Sequence, residues 1–360
     1  MKKNNSIIIT VMFSAILILI FLLNIAIEDN KISESERRKL AQFPEISIQS
    51  LLDRKAIDGF EDYSVDQFAF RDFFRNVKSF WSTNIFFQKD DNKFFIKDNA
   101  LYKMEYPLKE ENVKINAEKI KNIYDKYLQE NDVYYAIIPD KNYYLENDDH
   151  LKIDYSKLKN IMQENLNDFT YIDIWDELTL EDYYRTDLHW KQENLVKVVN
   201  VFEKEMGITQ TLNSYYEKKS LGEYYGTYYT QTSNNVNPDE MYVLTNEIIE
   251  NCTTYNYEKK ENGEVYNSKE TLDKYDTFLS GATALIEINN PYRKDDKELI
   301  IFRDSFGSSI APLFIENYKK ITLVDLRYMS SELLEEFIEF DNQDVIFLYS
   351  TLILNQNILK

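Results

Sequence analysis

Four short apolar runs constrain this chain most: Val133 to Ile138, Leu299 to Phe302, Ile321 to Val324 and Val345 to Tyr349. Each has the length of a strand and almost no polar alternation. Such runs are read as strands buried on both faces of a sheet. Segments of helical period lie between them: Val113 to Gln129, Tyr155 to Leu166, Lys191 to Met206, Ser308 to Tyr318 and Ser331 to Phe340. Thr170 to Ile174 reads as a further strand, and Leu352 to Leu359 as a last short helix. This alternation predicts an α/β fold, a three-layer α/β/α sandwich with a mainly parallel sheet. Gly207 to Asp296 breaks the rhythm. Its Tyr, Asn and Thr content and the turn at Glu261-Asn262-Gly263 predict a β-containing insertion at about 207–297.

The N-terminus obeys a different rule. Lys2 and Lys3 precede an uncharged run from Ile7 to Ile27. As a helix it spans roughly the 30 Å of a bilayer's hydrocarbon core. Basic residues before it and Glu28-Asp29 after it predict a cytoplasmic N-terminus and an extracellular main domain. The expected organisation is a transmembrane signal anchor over 1–30, with a cleaved signal peptide as the alternative, a juxtamembrane and aromatic-rich segment over 31–109, and an α/β domain over 110–360. Ile46 to Phe87 is expected to be helical. Lys93 to Ile96 and Ala100 to Tyr102, around Lys97-Asp98-Asn99, are expected to form a hairpin. The net charge of -20 excludes nucleic acid as a partner, because phosphate binding needs a basic surface. The single cysteine, Cys252, leaves the fold to rest on its core.

In open α/β sheets ligands bind beyond the carboxyl ends of strands. Asp304-Ser305, Asp140-Lys141 and Asp325 lie at such ends. Asp304-Ser305-Phe306-Gly307 follows a buried run and opens a helical one, an arrangement that lifts a serine hydroxyl out of a sheet. A nucleophilic serine needs a base, and the chain has two histidines. His189 follows Asp187 by two residues. In an extended segment both side chains point the same way, so the carboxylate can hold imidazole Nδ1–H and leave Nε2 free for the serine. Trp190 is placed to wall the imidazole from water. His150 follows the acidic run Glu146 to Asp149, which reads as a solvated face, and no metal site is expected. G-x-S-x-G, G-x-G-x-x-G and P-loop motifs are all missing.

Thr186-Asp187-Leu188-His189-Trp190 resembles the motif of the DHHW protein family. Further stretches are similar to that family: Glu36-x-Arg38-x-Leu40-Ala41-x-Phe43-Pro44, Asp66-Gln67-Phe68-x-Phe70-Arg71, Asp276-x-Phe278-Leu279-x-Gly281 and Val324-Asp325-x-Arg327-Tyr328. The family is similar to the AlgJ/AlgX-type proteins of polysaccharide O-acetylation, with a circularly permuted SGNH-hydrolase-like domain. The resemblance implies Ser305 as nucleophile, His189 as general base and Asp187 as the acid that orients it. Leu188 stands where the family has the first histidine of its motif. Ala282 follows Gly281 where an oxyanion asparagine is expected by analogy, so either the second donor is a backbone N–H or another side chain, or activity is reduced. Arg327 either binds an acyl carbonyl or glycan carboxylate or pairs with Asp325, and Lys141 is a candidate of the same kind. The implied function is an extracytoplasmic, membrane-anchored O-acyltransferase, most simply an O-acetyltransferase, acting on a polysaccharide. A membrane-bound O-acyltransferase is the implied partner, and no soluble cofactor is implied. A carbohydrate acetylesterase with the same triad and a non-catalytic glycan-binding protein are the alternatives.

Overall fold

The structure is a computed structural model that describes residues 2–33, 38–81, 93–145, 150–208, 215–232, 236–268 and 271–360. The chain divides into two compact units. The first comprises Met1–Asp91 with Tyr229–Asn235, and the second Asn92–Tyr228 with Val236–Lys360.

In the first unit, α1 (Lys2–Ala26) contains the apolar stretch Ile7–Ala26, long and apolar enough to cross a membrane. Two short strands, β1 (Ile32–Ser33) and β2 (Arg38–Lys39), pair antiparallel. Three helices follow: α2 (Ile48–Leu52), α3 (Lys55–Asp66) and α4 (Arg71–Phe80). The expected helical character of this segment is thus met as three pieces. Its continuation over 82–92 lies outside the described residues, as do Glu36 and the acidic run at 146–149.

The second unit begins with the expected hairpin, β3 (Phe94–Lys97) and β4 (Ala100–Lys103). Asp98 and Asn99 form its turn at φ 48° and 57°, left-handed values that these residue types tolerate. The elements that follow are α5 (Glu110–Tyr127), β5 (Val133–Ile138), α6 (Tyr155–Asn165), β6 (Thr170–Tyr171) and α7 (Val196–Glu205). Next come β7 (Glu217–Tyr224), α8 (Thr227–Gln231, whose last three residues belong to the first unit), β8 (Asp239–Thr245), α9 (Glu247–Asn251), β9 (Thr253–Asn256), β10 (Glu261–Glu264) and β11 (Leu285–Asn289). The chain closes with β12 (Glu298–Arg303), α10 (Ser305–Ile310), β13 (Lys320–Val324), β14 (Asp344–Ser350) and α11 (Thr351–Leu354).

The central sheet has eight strands in the order β10-β9-β11-β13-β12-β14-β5-β6. The five strands from β13 to β6 run parallel, and β10, β9 and β11 extend the sheet antiparallel. Ile301 on β12 stands opposite Leu323 on one side and Ile346 on the other. Both faces of β12, β13 and β14 are covered, which is why these strands read as unbroken apolar runs. Phe302 and Phe347 stack at 4.5 Å and 7° in the middle of this core. The architecture is an α/β fold built on a mainly parallel central sheet, as the alternation of strands and helices predicts.

The segment 207–297 carries β structure, as expected: β7 and β8 pair with each other, and β9, β10 and β11 join the central sheet. Two expectations need correction. The helix expected from Ser308 starts earlier, at Ser305, and tightens into a 3₁₀ helix over Ala311–Asn317. Pro312 lies at the start of that 3₁₀ stretch and has no N–H to continue the α-helical ladder. The helix expected from Ser331 is likewise 3₁₀, over Ser331–Glu336.

Candidate active site

Ser305 is the first residue of α10, directly beyond the carboxyl end of β12. Asp304, fully buried, caps this helix: one carboxylate oxygen accepts from Phe306 N–H at 3.0 Å and the other from Ser350 N–H at 2.8 Å. The cap therefore ties the turn that carries Ser305 to the end of β14. Gly307 N–H donates to the Asp304 carbonyl at 3.1 Å. With those two amides engaged, Ser305 N–H is the first-turn donor that makes no hydrogen bond among the described residues.

His189 and Asp187 arrive on a loop closed by an antiparallel bridge between Tyr183 and Trp190. His189 Nε2 lies 2.7 Å from Ser305 Oγ, and Nδ1 lies 2.5 Å from Asp187 Oδ1. The same Asp187 oxygen accepts from His189 N–H at 2.9 Å. The local geometry is thus an Asx-type turn rather than the extended segment expected, and it brings carboxylate and imidazole together by a different route. Asp187 Oδ2 accepts from Thr227 N–H at 2.5 Å.

The loop is held from outside by residues that sequence reasoning missed. Buried Asp239 accepts from Arg185 N–H and Thr186 N–H, both at 2.9 Å, and from the Thr186 hydroxyl at 2.7 Å. Gly226 packs so close that an added Cβ would stand 2.3 Å from both Asp187 Cβ and the Thr186 carbonyl oxygen. Only glycine permits that approach. Glycine is rare in this chain, and that scarcity was the available signal.

The imidazole is stacked on Tyr275, with ring centroids 3.9 Å apart and planes at 12°. Tyr275, also missed from sequence, has the role expected of Trp190. Trp190 is instead fully buried, and its indole N–H donates to Phe306 O at 3.1 Å and Ser309 Oγ at 2.9 Å. Tyr275 Oη also donates to Ser309 Oγ at 2.9 Å, and the Ser309 hydroxyl donates to Phe306 O. Ser309 thus joins the ring stacked on His189 to the helix that begins at Ser305.

The remaining sequence candidates fall into structural positions. Arg327 makes a two-pronged pair with Asp325, at 2.9 and 2.6 Å, and buried Arg303 approaches the same carboxylate at 3.5 Å. Lys141 is buried, and its Nζ donates to the carbonyls of Tyr184, Arg185 and Asp187 at 3.0, 3.3 and 2.8 Å. Burial pushes its ammonium down to about 7, against the pull of Asp187 and Asp239. Lys141 therefore supports the loop from behind, where it also borders a cavity of about 410 Å³ with Tyr102 and Tyr183. Gly281 sits at φ 80°, against the Asp276 carboxylate, and closes a run of left-handed residues with Leu279 and Ser280. Its place is a turn that side chains would strain. Among the described residues no cluster of three or more metal-ligating side chains occurs.

Chemically, the carboxylate can hold Nδ1–H, which leaves Nε2 to accept the Ser305 proton. The free Ser305 N–H is aimed from a helix start, where developing negative charge is favoured.

Comparisons with known proteins bear on the family and the fold. The model of the family described as DHHW protein matches residues 152–324, a range that includes Asp187, His189 and Ser305. No curated protein matches the chain. The solved structure of Bacillus cereus PatB1 with a sulfonyl adduct is similar over 74% of this chain and 97% of its own, with a TM-score of 0.59 and 16% identity. The O-acetyltransferase domain of Pseudomonas putida AlgJ covers 72% of this chain and 91% of its own, at a TM-score of 0.44 and 11% identity. A DHHW family protein from Eubacterium siraeum DSM 15702 covers 74% of this chain and 93% of its own, with a TM-score of 0.63 and 19% identity. It is to the DHHW protein family, then, that this chain is similar, by sequence over residues 152–324 and by fold well beyond them.

Proposed function

We propose that this chain is a membrane-anchored, extracytoplasmic O-acyltransferase, in its simplest form an O-acetyltransferase, that modifies a polysaccharide of the cell envelope. The observation that carries the reading is the unbroken hydrogen-bond chain from Asp187 through His189 to Ser305. In the first half-reaction Ser305 Oγ attacks the acyl carbonyl carbon while His189 Nε2 takes its proton. The oxyanion accepts from Ser305 N–H. Collapse expels the donor alcohol, which leaves with the proton from His189. In the second half a sugar hydroxyl gives its proton to His189 and attacks the acyl-enzyme. Ser305 leaves, takes the proton back and frees the sugar ester.

The family resemblance supports acetyl as the acyl group and a polysaccharide as acceptor. The apolar stretch Ile7–Ala26 of α1, preceded by Lys2 and Lys3, supports a single span with the catalytic unit outside. Such an anchor keeps the site beside a membrane-bound O-acyltransferase, the partner that would deliver the acyl group.

Water in place of the sugar makes the same machinery an esterase, so the test follows the acceptor. Full-length protein is given a 4-nitrophenyl acetate donor and an oligosaccharide acceptor. The expected result is O-acetylated oligosaccharide by mass spectrometry in excess over free acetate, with neither product from Ser305→Ala. Acetate alone would replace transfer by hydrolysis. Equal yields from wild type and Ser305→Ala would remove the catalytic reading.

A further inference from the structure

The helix α4 turns an aromatic surface outward immediately beside the membrane span. Phe70 at its N-cap and Phe73 and Phe74 in its first turn are 61%, 62% and 49% exposed. Phe74 meets Phe68 at 5.9 Å and Phe73 at 5.6 Å, both edge-on, so these rings form one continuous surface. Exposed aromatics at this density mark an interaction site. The same short helix carries Arg71, Arg75 and Lys78 against one acid, Asp72, in a chain whose net charge is -20.

A set of hydrogen bonds ties this surface to the exit of α1. Ala69 N–H, one residue before the α4 cap, donates to Asn24 Oδ1 at 2.8 Å. Asn24 lies inside the apolar stretch Ile7–Ala26, roughly 3 Å along the helix axis from its end. The Gln67 side chain bonds both backbone groups of Asn30, at 3.0 and 2.9 Å, and the carbonyl of Ala41. Asp66 accepts from Ala41 N–H at 2.8 Å and pairs with Arg38. These contacts are the physical content of the Arg38 and Asp66-Gln67 motifs. They fix the start of α4 at the depth where the span leaves the hydrocarbon.

We propose that α4 lies in the membrane interface, its phenylalanines among the upper acyl chains and its basic residues at anionic headgroups. Aromatic and basic residues are favoured at that depth, and an amphipathic helix in the interface plane buries such a face. The occupant is the bilayer that holds α1, because the tether gives the aromatic surface no other solvent at that depth. The helix would act as a collar that limits how far the anchored protein can tilt. This proposal rests on α1 spanning a membrane and not on the catalytic reading.

Full-length protein is reconstituted into vesicles of phosphatidylcholine and phosphatidylglycerol, plain or brominated near the glycerol end of the acyl chains. Phe73→Trp and, independently, Phe74→Trp add an emission that is read as the difference from wild type. The expected result is loss of most of that added emission in brominated vesicles, together with shielding from acrylamide. Vesicle flotation reports α1 separately. Protein that floats with unquenched added emission overturns the collar alone: acrylamide access would put the face in water, and shielding from both quenchers would put it against protein. Protein that does not float overturns the span and the collar together.

Discussion

Both carboxylate oxygens of Asp187 are fully used as acceptors. One takes the ring and backbone N–H groups of His189, and the other takes Thr227 N–H. An amide there has only one acceptor oxygen, so Asp187→Asn sets an N–H₂ group against a donor whichever way it turns. The expected outcome is a fall in kcat of about 10⁴-fold, the scale of a wrong imidazole tautomer, with a melting temperature that moves far less. Lys141 makes a second residue-level prediction. Burial holds its pKa at about 7, whereas an unfolded lysine titrates near ~10.4. The folded value is the lower one, so folding releases a proton between these limits and the contribution to stability grows as pH rises through that window. It is lost again as pH falls through about 7. Lys141→Met removes this dependence. Urea unfolding is therefore expected to show the unfolding free energy of wild type minus that of Lys141→Met rising by about 2 kcal/mol from pH ~7 to ~9. A difference that stays constant or falls would contradict the burial argument.

At the scale of elements, the strands that read plainly were those buried on both faces. β12 and β14 have no solvent side to alternate with, so composition alone marks them. β9 and β10 were hidden for the opposite reason: β10 is an edge strand with every residue exposed, and its sequence, Glu261-Asn262-Gly263-Glu264, reads as a turn. The site was legible to the same degree as its local chemistry. Asp187 and His189 are neighbours in sequence, and Ser305 sits at a strand end. Tyr275, Asp239 and Thr227 act on them across tens of residues, which no local pattern reports. Trp190 was drawn toward the pocket because its neighbour is the base, yet an indole N–H with two buried acceptors belongs in the core. The turn before α8 gives the element-level prediction. Gly226→Ala puts a methyl against the Asp187 backbone. It is expected to cost roughly 1–3 kcal/mol by thermal unfolding, and about 10²-fold in kcat if Asp187 is displaced by an ångström.

Across the whole molecule, the sheet sets the site, and the N-terminal unit carries a helix long and apolar enough to cross a membrane. Ser305 rises from β12, flanked by the parallel strands β13, with the Asp325–Arg327 pair, and β14, whose Ser350 N–H binds the Asp304 cap. The antiparallel strands β9 to β11 widen that sheet on the β13 side without entering the triad. The helix α1 supports confinement of this chemistry to a membrane surface. The central claim is that Ser305 becomes acylated. Intact mass spectrometry of the full-length protein after brief exposure to an activated acetyl ester tests it most directly. The account predicts one acetyl adduct on wild type, mapped by peptide to Ser305 and missing from Ser305→Ala. Wild type that stays unmodified and releases no acetate, or an adduct that persists in Ser305→Ala, would contradict it.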